Sequence, residues 1–68
     1  MTYQEFQQGI LNAIKNAGNS VGVRFYNDKE KGKYTAICSD GVRFTGNSTS
    51  FKVTVRWASH QAQFELVA

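Results

Sequence analysis

The chain has no proline, one cysteine and one histidine, and each shortage narrows what it can be. A lone thiol, Cys38, cannot close an internal disulfide, so a reducing, cytoplasmic compartment is expected. One His and one Cys fall short of the three or four ligands that a structural or catalytic metal needs, and no cofactor is expected. No apolar run approaches the ~18 residues of a membrane span. The opening "MTYQEFQQGI" lacks the basic and apolar regions of a signal peptide, so nothing points to export. Glycines 18, 22, 32, 41 and 46 are dispersed at caps and turns, which leaves no phosphate-cradling loop. Acids are also few: five Asp/Glu stand against eight Lys/Arg, for a net charge of +3. That excess bears on solubility and on weak attraction to polyanions. The densest basic stretch, "KEKGK", is interleaved with Asp28 and Glu30 and reads as a solvated loop.

What the chain does have is a globular composition, 41% apolar with five Phe, three Tyr and one Trp. Its 68 residues make a single domain, 1–68, with one small core. Over residues 3–17, Phe6, Ile10, Leu11 and Ile14 recur at helical spacing, flanked by Tyr3, Ala13 and Ala17. Thr2 and Glu5 have the spacing of a capping box, and Gly18 suits a left-handed stop.

From Val21 the period changes to two. "VGVRFYN" places Val21, Val23 and Phe25 on one face and Arg24 and Tyr26 on the other. Asp40-Gly41 between "KYTAICS" and "VRFTG" predicts a two-residue hairpin turn, with both central residues at positive φ. That turn sets Ser39 against Val42 and Ile37 against Phe44, with Cys38 and Arg43 pointing outward. "FKVTVRWA" alternates Phe51, Val53, Val55 and Trp57 inward with Lys52, Thr54 and Arg56 outward. A turn about Ser59-His60 then pairs Trp57 with Ala62, Val55 with Phe64, Val53 with Leu66 and Phe51 near Ala68. A one-residue slip would put Phe64 and Leu66 in water. On this reading Trp57 is core and His60 sits at a loop tip.

The expected fold is therefore α+β, an N-terminal amphipathic helix (about 3–17) packed on one face of a five-stranded antiparallel sheet in meander order. A short helix over 59–67 would instead give α-β-β-β-α, the element order of double-stranded-RNA-binding domains. The alternation in "QAQFELV" and the absence of a basic helix start argue for the strand.

Cys38 and His60 are the only nucleophile and base of their types, and the register keeps them apart, so no enzyme is expected. The wet face of the sheet carries the candidate site. Arg24, Arg43 and Arg56, all the arginines of the chain, project there with Lys52. Pairing Asn27 with Lys33 across "DKEKG" adds Tyr26 and Tyr34 side by side. Basic groups among exposed aromatics suit single-stranded nucleic acid. Forked guanidinium groups equally suit an acidic protein. The same residue types are also what an antiparallel sheet ordinarily shows to solvent. A charge of +3 is thin for nucleic acid, so a protein-interaction or regulatory module is preferred. Small size associates it with accessory and inhibitor proteins of phages and mobile elements. Edge strands offer a route to a homodimer.

Overall fold

A computed structural model describes residues 1–18, 20–57 and 61–65. One helix, α1 (Tyr3–Asn16), packs against a five-stranded antiparallel sheet. The strands are β1 (Val23–Asp28), β2 (Lys33–Cys38), β3 (Arg43–Asn47), β4 (Lys52–Arg56) and β5 (Gln61–Glu65). They lie side by side in chain order, so β1 and β5 form the two edges. Residues 61–65 are strand and not helix.

The helix starts where the side chains satisfy its free donors. The Glu5 N–H donates to Thr2 Oγ1 (3.1 Å), and the Thr2 N–H donates to Glu5 Oε1 (2.8 Å). Accepting from the Thr2 backbone N–H holds the Glu5 carboxyl below its ordinary range. At the other end Ala17 caps the helix, and Gly18 turns the chain away at φ +68°.

Phe6 and Ile10 carry the helix onto the sheet, and both are fully buried. They meet Tyr34, Ala36 and Cys38 of β2, Phe44 of β3, and Val53 and Val55 of β4. Phe6 sits edge-on to Phe25 at 6.2 Å and tilted against Tyr34 at 5.5 Å between ring centres. Gly46 was expected at a turn but lies buried within β3, opposite Tyr34. A Cβ there would lie 3.1 Å from the Phe6 ring, so the bare backbone is what lets helix and sheet approach.

β2 is the strand whose faces differ from expectation, and both hairpins that flank it are responsible. Asp28 pairs with Lys33, and Asn27 pairs with Tyr34 where Lys33 was expected. The Asp28 carboxylate accepts from the Lys31 N–H (3.3 Å), and Gly32 supplies a left-handed residue at φ +63°. Beyond β2, the Asp40-Gly41 turn is a three-residue loop and not a two-residue one. Gly41 N–H donates to Cys38 O (3.0 Å) and Cys38 N–H to Val42 O (2.9 Å). Gly41 has φ +90°, whereas Asp40 keeps a negative φ and accepts from the Val42 N–H (3.2 Å). This is a type I turn followed by one left-handed glycine, which asks only one residue for positive φ. Each hairpin shifts β2 by one residue, so Tyr34, Ala36 and Cys38 turn inward and Thr35 and Ile37 turn outward.

The last hairpin shifts by two residues, which preserves the faces. Val55 pairs with Ala62 and Val53 with Phe64, in place of Trp57 with Ala62 and Val55 with Phe64. The connection between the two strands therefore runs 57–60. The expectations for His60, Leu66 and Ala68 lie outside the described residues. Phe51 and Trp57, expected in the core, flank β4 and are 65% and 39% exposed. Both lie outside the ladder pairs of the described residues on that strand, which run from Lys52 to Arg56.

Candidate functional site

The register assembles the outer face into rows that cross all five strands. One row runs Arg24, Ile37, Arg43, Arg56, Gln61. The next runs Tyr26, Thr35, Thr45, Thr54, Gln63. Arg24, Arg43, Arg56 and Lys52 are all exposed, as expected from alternation. Tyr26 stands out at 48% exposure. Tyr34 does not join it. Its ring is 5% exposed against Tyr3 and Phe6, and its hydroxyl donates to Met1 O (3.1 Å). The outer face therefore has one of the two expected aromatic platforms.

Sequence reasoning missed Lys33 and Thr35, which the inverted β2 brings to this face. Lys33, Thr35, Arg43, Thr45, Thr54 and Arg56 line a shallow depression of about 310 Å³. Asp28-Lys31 turn chemistry was the available signal, because it draws Asp28 into the ladder, shortens the loop to 29–32 and reverses the parity of the following strand.

Arg43 and Arg56 are directly opposed on neighbouring strands. Cross-strand partners have Cβ atoms about 4.5–5.5 Å apart, and like charges so placed destabilise a sheet. Arg56 spends one donor on Gln61 Oε1 (3.4 Å). Two of the acids are committed to turns, Asp28 to the Lys31 N–H and Asp40 to the Val42 N–H. The arginine row itself contains no carboxylate at any of its five positions.

Cys38 lies on the core face, a correction to its expected outward position, and is buried. Burial, with a smaller contribution from the Asp40 charge, raises its thiol pKa. A buried, protonated thiol is a poor nucleophile. Its environment also sets a prediction. Cys38→Ala should cost under about 1.5 kcal/mol, whereas Cys38→Ser should cost about 1–3 kcal/mol by burying a hydroxyl. Urea unfolding of both variants checks the order, and equal losses would contradict the burial. Among the described residues no group of three or more His, Cys, Asp or Glu converges to hold a metal, and no helix is long and apolar enough to cross a membrane.

Compared with known proteins, the chain matches no family model, no curated protein and no solved structure.

Proposed function

We propose that the protein is a non-enzymatic interaction module whose outer sheet face takes an acidic surface of a protein partner. The observation that carries this reading is the opposed pair Arg43 and Arg56 in a row shared with Arg24. A sheet that needed only solvation has no use for like charges face to face, since Thr or Gln would cover the same surface without repulsion. Two guanidinium groups side by side present paired forks to carboxylates, and a bound acid would offset their repulsion.

Single-stranded nucleic acid is the second reading, and exposed Tyr26 is what favours it. It has lost Tyr34 as a stacking surface, and stacking is worth ~1–3 kcal/mol per base. Arg24, Arg43, Arg56 and Lys52 offer about four phosphate contacts, for which a single strand gives a log-log salt slope near −3.

The test is affinity capture from native lysate, with and without nuclease, using the parent and Arg43→Ala and Arg56→Ala variants. A protein partner is expected to be retained after nuclease treatment. Each alanine variant should weaken its binding at least about tenfold (~1.4 kcal/mol). The same substitutions should leave thermal stability unchanged or raise it by up to about 1 kcal/mol, because the repulsion is removed. Nuclease-sensitive capture would transfer the face to nucleic acid. Capture indifferent to both arginines would reject the face altogether.

A further inference from the structure

Trp57 stands where two depressions meet. On the core side, Ala13, Ile14, Ala17, Val21, Val42 and Phe44 line an apolar groove of about 200 Å³ that Trp57 borders, with buried Cys38 also on its wall. On the outer side, Asp40, Gly41, Val42, Arg43, Arg56 and Trp57 line a second depression of about 410 Å³. Asp40, Val42 and Trp57 belong to both. The groove exists because the helix is fully buried only at Phe6 and Ile10. One turn further on, Ile14 is half-buried, and the small side chains of Ala13 and Ala17 remain exposed. Alanine at these two positions leaves the groove open between helix and sheet. Its volume exceeds the ~150 Å³ of an apolar cavity that admits benzene.

We infer that this corner receives an apolar side chain of an acidic protein segment, inserted beside Trp57, while neighbouring Asp or Glu residues of the same segment meet Arg43 and Arg56. The inference rests on the reading of the arginine row as a surface for an acidic protein, and it adds the side-chain class that anchors the partner. Charge complementarity selects the occupant. The wall next to the groove carries two guanidinium groups, and among the described residues its one lining carboxylate, Asp40, is turned to the Val42 N–H (3.2 Å). The two depressions share Asp40, Val42 and Trp57, so a short extended segment, which advances ~3.3 Å per residue, can place its anchor in one and a nearby acid in the other. An aromatic or leucine anchor in such a pocket is the usual centre of a small interface, with charges at its rim.

The experiment is panning of a random-peptide display library against the full chain, followed by titration of synthetic copies of the enriched peptides. Trp57 is the only tryptophan, so its emission reports the groove directly. Enriched sequences are expected to carry an aliphatic or aromatic residue within two positions of Asp or Glu. Their binding should shift Trp57 emission to the blue. Arg43→Ala should weaken binding at least tenfold. So should Ala13→Lys, although it adds a positive charge. Ala13 is exposed near the helix C-terminus, where lysine is well tolerated, and melting curves verify the fold. If Ala13→Lys binds as tightly or tighter, or if purely acidic peptides bind equally with unchanged emission, the groove has no part and only the basic-face reading stands. Binding that survives Arg43→Ala but not Ala13→Lys removes the acidic-partner reading and the combined site with it. An absence of enriched peptides overturns the inference outright.

Discussion

Phe6→Ala is expected to leave the chain without a cooperative unfolding transition at ambient temperature. Phe6 is fully buried and touches the rings of both Phe25 and Tyr34, so one side chain joins α1 to β1 and β2 together. Truncating a buried phenylalanine costs about 3–5 kcal/mol. A domain of this size has about 3–10 kcal/mol in all. The cost therefore consumes from about a third to all of the stability. Only Ile10 shares full burial on the helix, and it cannot hold the helix to the sheet alone. Circular dichroism melts and urea titrations measure the effect. A variant that melts like the parent would show that the helix is not anchored through this residue.

The second large effect concerns the glycine beneath that ring. Gly46→Val should destabilise the parent by about 1–3 kcal/mol, because its Cβ alone would meet the Phe6 ring at 3.1–3.2 Å. Strand preference alone predicts the opposite sign, since valine outranks glycine by up to ~1 kcal/mol in a strand. The sign of the measured change thus separates close approach from propensity. A double-mutant cycle sharpens the test. In a Phe6→Leu background the ring is gone, and the penalty for Gly46→Val should shrink by at least about 1 kcal/mol. Additive losses would mean that the two positions do not press on one another.

The element order, the meander and the helix caps were all legible in the sequence, because each follows from local patterns that agree with one another. Val53 and Val55 alternate with Lys52, Thr54 and Arg56, and that strand could face only one way. β2 was not legible, for a physical reason. In "KYTAIC" the even positions hold Tyr34, Ala36 and Cys38, and the odd ones hold Lys33, Thr35 and Ile37, so only Lys33 at the start of the strand marks one face as the wetter. With so little contrast between faces, the flanking turns decide the register, and the first loop came out one residue shorter than expected and the second one residue longer. The candidate site inherited that ambiguity at one point. Arg24, Tyr26, Arg43, Lys52 and Arg56 lie on strands whose alternation is clear or just at their ends, and all are exposed. Tyr34 lies on the ambiguous strand, and it is in the core. Trp57 was misplaced for another reason: alternation continues past the point where the ladder stops.

The spacing of the strands has a bearing on how the chain reaches this state. The four connections run 29–32, 39–42, 48–51 and 57–60, each of four residues. Closing loops that short costs little chain entropy, and the cost hardly differs from one hairpin to the next. No strand has to wait for a distant partner, so the sheet can zip from any of its turns in either direction. The encounters that span the chain belong to its N-terminal segment: Phe6 and Ile10 pack into the core cluster with β2, β3 and β4, and the Met1 ammonium donates to Ser50 O (2.9 Å). The kinetic bottleneck then belongs to the helix closing over a sheet that is already largely paired. Changes on the arginine row act on strands paired before that step and should register in the folding rate, whereas contacts that the helix completes only after the bottleneck should register in the rate of unfolding.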